Sequence, residues 1–373
     1  MTGQNMVRSF FKIRLSFPMN ILICGSRGIP AQYGGFESLT EGLANSLIDL
    51  DHQVVVTGFD EFITKPVLQK CGEVISMKVP VSGPKVLHNF MGTWKATKKL
   101  DSLYQFDRVL VLNDVNFLVA RKFRLGGIRT ILHLDGAEAR RSGLPLVGKF
   151  AHWLLRYLSV KSRIPLVVDS QSVRLQLTRS SYEMATITYA PHLETAVKPN
   201  FDIGILEKKG FCLVIARFVK ENQITEIIEA YLSSGRTEVL VVIGEGTGRR
   251  KYERKIDNLS RLTDRVLILP KHYIRAEINW LLQNAKVYLH GHSVGGTNPI
   301  LVDARFHSKV ILSHTNPYNL ENSGYKELHW ASKSELVLLL DNLENFQLNK
   351  SIEYRFESWK SITDQYIRFF ERV

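Results

Sequence analysis

From Asn20 onward, short runs of Val, Ile and Leu that are apolar at nearly every position alternate with helix-length amphipathic segments. A strand with two apolar faces must be covered on both, so such runs separated by helices call for parallel sheets between helix layers. The spacing predicts strands over 20–24, 53–57, 74–79, 108–112, 129–134, 166–169 and 186–190, and a second series over 211–216, 238–243, 265–269, 286–289 and 309–312. At 373 residues the chain exceeds one ordinary core, and an α/β protein of two doubly wound, Rossmann-like domains is expected. Its divisions fall at a basic N-terminal extension (1–18), a first domain (19–195), a linker with Pro199 and Gly204 (196–210), a second domain (211–348) and a C-terminal closing helix (349–373). Facing domains of this kind leave a cleft at the carboxyl ends of their strands, where open sheets bind ligands.

Lys and Arg number 49 against 36 Asp and Glu, a net +13 that favours a phosphate-bearing partner or an anionic surface. The basic residues are scattered through helices and loops instead of tracking an aromatic-lined groove, which argues against nucleic acid. Cys24, Cys71 and Cys212 are far apart and form no C-x-x-C pair, so they read as reduced thiols of a cytoplasmic protein. No apolar run reaches the length of a membrane span. Lys12 and Arg14 break any signal-peptide core in the first eighteen residues. That segment reads as a leader ahead of a start at Met19, or else as a basic interfacial anchor.

The segment Lys286 to Phe306 reads as a buried strand, a glycine turn at Gly295-Gly296-Thr297, and a helix with Asn298 as N-cap and Pro299 at its first position. The free N–H groups of such a helix start seat an anion, and a diphosphate there gains hydrogen bonds and favourable charge together. Asp303, about one turn on, can accept from ribose hydroxyls; a plain strand-to-helix turn explains the same pattern about as well. Arg217 lies just past the apolar strand at 212–215 and can grip a phosphate with two parallel hydrogen bonds, or pair with Glu221. After the first strand comes a loop with Arg27 and the Gly34-Gly35 hinge, whose spacing does not fit the dinucleotide fingerprint. His133 and Asp135 follow the strand at 129–132 and can hold or deprotonate a hydroxyl, or simply pack and cap a turn. Asp49-Leu50-Asp51 reads as a solvated helix end, and no metal site is expected. The stripe Phe150, Trp153, Leu154, Tyr157 and Leu158, flanked by Lys149, Arg156, Lys161 and Arg163, reads first as core packing and second as a membrane contact.

Five motifs carry a resemblance. They are Gly25-Ser26-Arg27-Gly28-Ile29-Pro30-Ala31-x-Tyr33-Gly34-Gly35-Phe36-Glu37, Asp135-Gly136-x-Glu138-x-x-Arg141, Val168-Asp169-Ser170, Ile215-Ala216-Arg217-Phe218-Val219-x-Glu221-Asn222, and Gly291-His292-Ser293-Val294-Gly295-Gly296-Thr297-Asn298-Pro299. In this order they resemble the rhamnosyltransferase-type branch of glycosyltransferase family 4 over roughly residues 20 to 330. The resemblance implies a GT-B fold whose second domain binds a nucleoside-diphosphate sugar and whose first binds the acceptor. It implies a retaining, metal-independent transfer of a deoxyhexose, dTDP-rhamnose being favoured over UDP- or GDP-sugars, to a saccharide acceptor. That acceptor is expected to be lipid-linked, as in bacterial surface polysaccharide assembly, with the enzyme in the cytoplasm or peripheral at the inner membrane face.

By the same resemblance Arg217 neutralises the diphosphate, and Gly34, Gly35, Asn222, Gly295, Gly296, Thr297, Asn298 and Asp303 complete the donor side. Asp135 and His133 serve the acceptor hydroxyl, and Arg27, Phe36, Glu37, Glu138 and Arg141 the rest of the acceptor. Two departures stand out: Asn222 replaces a common lysine, and Asp303 is the shorter acid of an E-x7-E element whose first acid is Gly295. A nucleotide-sugar epimerase and a catalytically inert sugar-nucleotide-binding protein are the competing readings.

Overall fold

The computed structural model describes residues 18–31, 34–134, 136, 146–177, 182–201, 204–246, 248, 250–324, 327–345 and 356–373. The first sheet holds β1 (Asn20–Cys24), β2 (Gln53–Asp60), β3 (Val67–Cys71), β4 (Val74–Pro80), β5 (Arg108–Leu112), β6 (Arg129–Leu134), β7 (Leu166–Val168) and β8 (Met184–Thr186). Its order is β3-β4-β2-β1-β5-β6-β7-β8. The second holds β9 (Phe211–Ile215), β10 (Val239–Gly244), β11 (Val266–Pro270), β12 (Tyr288–His290), β13 (Ile311–His314) and β14 (Glu327–Trp330), in the order β11-β10-β9-β12-β13-β14. Every pairing is parallel except β3 with β4.

The helices are α1 (Gly35–Ile48), α2 (His88–Leu100), α3 (Phe117–Leu125), α4 (Leu146–Lys161), α5 (Gln171–Gln176), α6 (Gly204–Lys209), α7 (Ile224–Ser233), α8 (Arg250–Ser260), α9 (Arg275–Asn284), α10 (Pro299–His307), α11 (Pro317–Leu320), α12 (Lys333–Asp341) and α13 (Trp359–Arg372). Apolar clusters line both faces of each sheet, as strands without a polar face require. Cys24 and Cys212 are buried in β1 and β9, and burial holds both thiols protonated, Cys212 pushed up to about 12. Among the described residues no helix is long and apolar enough to cross a membrane.

The chain does not end on the second sheet. α13 crosses back and lays Ile362, Tyr366, Ile367, Phe369 and Phe370 into the cluster between the first sheet and α1. Gly42 of α1 makes this seat possible, since a Cβ there would stand 2.4 Å from the Trp359 ring.

Three sequence expectations change. Strand β3 is an exposed edge without an apolar run, and in β14 Glu327 and His329 interrupt the pattern, so neither carried a signal. The strand expected at 186–190 pairs instead over Met184–Thr186, and the residues that follow enter the core as loop. The stripe on α4 is not core. Phe150 is 61% exposed, Trp153 57% and Tyr157 50%, while the helix seats itself through Gly148, His152, Ser159 and Val160.

Candidate active site

The carboxyl ends of both sheets open on one cleft, lined by Gly34, Gly35, Ser38 and Tyr189 from one side and by Arg217, Asn222 and the turn Gly295–Pro299 from the other. It is open to solvent. On the first side, the loop after β1 is folded onto its own helix. Glu37 accepts the Arg27 N–H at 3.0 Å and Glu41 accepts the Ala31 N–H at 3.1 Å. Gly34 sits at φ 114°, where a Cβ would meet the Glu37 carboxylate at 2.0 Å, so only glycine fits between loop and acid. Burial raises the Glu37 pKa, against the opposing pull of the Arg27 amide and of the charges of Arg27 and Arg217.

On the facing side β9 delivers Arg217, half-buried, to the rim. Its carbonyl accepts from Asn222 Nδ2 at 2.8 Å, and Asn222 Oδ1 lies 2.9 Å from His292 Nδ1. Asn222 therefore stitches the arginine loop to the loop after β12. Gly291 allows that approach, since a Cβ there would fall 2.2 Å from the Asn222 carbonyl. Asn298 caps α10 by accepting the Ile300 N–H at 3.3 Å, with Pro299 at the first position. The glycine turn, its cap and Arg217 thus line one cleft.

The turn also meets the other lobe. Thr297 N–H donates to Asp169 Oδ2 at 2.8 Å, and Thr297 Oγ1 to the Asp169 carbonyl at 3.0 Å. A Cβ on Gly296 would lie 2.3 Å from that carboxylate, and one on Gly136 would lie 2.1 Å from the Gly295 carbonyl carbon. Hence the anion held at this turn is the protein's own Asp169, delivered by the end of β7. Sequence reading placed Asp169 in a motif but gave it no role, because its partner is 128 residues away.

Arg27 and Glu37 do not line the cleft, and three further candidates are buried away from its wall. His133 is fully buried, 5.4 Å edge-on from Phe36, with Tyr366 Oη 2.8 Å from its Nδ1. His133 thus packs under Phe36, at the start of α1. Asp303 is also fully buried: its Oδ1 accepts the His192 N–H at 2.8 Å and lies 3.2 Å from His192 Nδ1, while Arg275 stands 3.6 Å from Oδ2. Burial raises its pKa, but the His192 hydrogen bonds and the charges of His192 and Arg275 prevail and leave it below the usual value. Its Oδ1 is engaged by His192, while Oδ2 is buried without a hydrogen bond and faces Arg275. Asp135, Glu138 and Arg141 lie outside the described residues.

The sequence reading missed the far end of the cleft. Lys271 pairs with Glu245 at 2.7 Å, and Tyr273 Oη donates to Glu245 at 3.3 Å. These residues follow β10 and β11, and their strand-end position was the signal available. Asp49 and Asp51 sit at the end of α1, and no group of three or more His, Cys, Asp or Glu suited to a metal occurs among the described residues.

No family model and no curated protein matches the chain in sequence. Solved structures match over most of its length. A trehalose-6-phosphate protein from E. coli bound with UDP-2-fluoro glucose aligns at TM-score 0.66 and 12% identity, covering 94% of this chain and 96% of the other. An α,α-trehalose-phosphate synthase (UDP-forming) from Burkholderia xenovorans in complex with glucose-6-phosphate aligns at 0.70 and 12%, covering 95% and 100%. A sucrose-phosphate synthase from Thermosynechococcus elongatus aligns at 0.70 and 12%, covering 95% and 94%. These neighbours support the architecture and not the rhamnosyltransferase branch that the motifs resemble. At such identities the likeness establishes the fold, and that fold is GT-B.

Proposed function

We propose that this chain is a retaining, metal-independent glycosyltransferase taking a hexosyl unit from a nucleoside-diphosphate sugar. The observation that carries the reading is the convergence of Arg217 and the turn Gly295–Pro299 on one cleft whose opposite wall is the glycine hinge of α1. In the proposed step the bond between the anomeric carbon and the diphosphate oxygen breaks, and one to the acceptor oxygen forms on the same face. Charge builds on the departing diphosphate, where the Arg217 guanidinium and the main-chain N–H groups of the turn receive it once Asp169 gives up the Thr297 N–H. The acceptor hydroxyl releases its proton at the first-domain rim, the role expected of Asp135. The UDP-2-fluoro glucose and glucose-6-phosphate of the neighbours support a nucleotide-sugar donor and a saccharide acceptor. The finer assignment, dTDP-rhamnose passed to a lipid-linked acceptor, rests on the motif resemblance.

A donor-binding protein without turnover is the second reading, favoured by Asp303 being engaged by His192 and by Asn222 standing where a cation is common. One experiment separates them. Nucleoside diphosphate release is measured with dTDP-, UDP- and GDP-sugars against a panel of saccharide acceptors. Turnover that falls about 10²–10³-fold in Arg217→Ala, with unchanged circular dichroism, supports transfer. Donor binding without release supports the second reading, and equal turnover of the variant removes Arg217 from the site.

A further inference from the structure

The longest helix facing solvent with an apolar side is α4, and nothing in the proposed chemistry uses that side. Leu146 is 84% exposed and Val147 81%, continuing the ridge of Phe150, Trp153 and Tyr157. The rings stack along the helix, with Phe150 and Trp153 centroids 5.8 Å apart and Trp153 and Tyr157 5.9 Å apart. A contiguous exposed ridge of large apolar side chains marks a surface that another phase or molecule covers. From Leu146 to Arg163 there is no Asp or Glu, while Lys149, Lys161 and Arg163 flank the ridge. α3 packs beside α4 and adds exposed Leu125 and Arg121.

We infer that the exposed side of α4 docks on an anionic lipid bilayer. Trp and Tyr favour the headgroup level, Phe and Leu the acyl boundary, and flanking cations the negative surface. The charge pattern decides between a membrane and a second copy of the chain. A two-fold dimer through this ridge would set two acid-free, cationic patches face to face, with no carboxylate on either helix to neutralise them. The helix is also tied to the cleft: Arg156 donates to the Gly136 carbonyl at 2.8 Å, and Gly136 abuts the Gly295–Gly296 turn. A docked α4 therefore holds the cleft beside the membrane surface, where a lipid-tethered acceptor resides. The surface stands on the helix itself, and only this last consequence rests on the proposed glycosyl transfer.

Flotation of the full chain with phosphatidylcholine vesicles, with and without phosphatidylglycerol, tests the inference without any turnover. The wild type is expected on the anionic vesicles and to be released by salt. Phe150→Ser/Trp153→Ser, at exposed positions, is expected to keep its melting temperature and lose about tenfold or more of the vesicle binding. Lys149→Glu/Lys161→Glu is expected to lose the preference for phosphatidylglycerol. Equal flotation of the aromatic variant and wild type, or no flotation of the wild type, overturns the assignment. So does a concentration-dependent dimer that the aromatic variant abolishes, since the occupant is then a second copy. Failed transfer with retained flotation leaves α4 a membrane surface and refutes only the proposed activity.

Discussion

Asp303 shows how one residue can be found by its pattern while the neighbours that surround it stay hidden. Its place one turn into α10 follows from Asn298 and Pro299, and both are realised as cap and first position. Its partners could not be read, because His192 lies 111 residues upstream and Arg275 begins another helix. The same distance in sequence hid Asp169. Arg217 was legible for the opposite reason: strand β9 alone fixes it at a carboxyl end. Since the Asp303 pKa is depressed on folding, its contribution is complete above the unfolded carboxyl value of about 3.9 and disappears as pH falls through the lower folded value. Asp303→Ala leaves the buried His192 N–H and Arg275 without that acceptor, and a loss of about 3–5 kcal/mol is expected at neutral pH. Urea unfolding at neutral pH and near pH 3 measures it; a loss as large in acid as at neutrality would contradict the assigned pairing.

At the scale of elements, strands covered on both faces announced themselves, and those at edges did not. β1, β5, β9 and β10 are continuous apolar runs, whereas β3 offers exposed Val67 and Leu68 among polar residues. Helix α4 was misjudged because periodicity reports that a stripe exists, not which side of the molecule it faces. Helix α13 was expected from its spacing, but its seat on α1 was invisible, being set by the absence of a side chain at Gly42. Gly42→Ala drives a methyl into the Trp359 ring and is expected to cost about 1–3 kcal/mol through overpacking. Trp359→Leu added to it should recover part of that loss. Additive losses in the double variant, read from thermal unfolding, would show that the two residues do not meet.

On the scale of the whole molecule, polar ties join the two lobes beside Val302 and Tyr318, which enter the apolar clusters of the first sheet. Asp169 holds Thr297, Arg275 donates to Ser38 at 2.7 Å, and Gln176 donates to Tyr318 Oη at 2.7 Å. Glu321, past α11, accepts the N–H groups of Gln171 and Ser172 at 2.6 and 2.9 Å and the Ser172 hydroxyl at 2.8 Å, at the start of α5. A carboxylate at free helix N–H groups is favoured by both hydrogen bonding and the helix dipole. Interfaces of this polar kind permit relative motion of the parts they join. If a nucleotide sugar binds in this cleft as proposed, Asp169 must release the Thr297 N–H for a diphosphate to take its place. Glu321→Ala removes three of the ties at once and, standing outside the cleft lining, leaves the proposed chemistry in place. Its radius of gyration in solution scattering is expected to rise above that of the wild type, and saturating donor to bring the two values together. Identical scattering of both chains without donor would mean that packing, not these ties, holds the lobes closed.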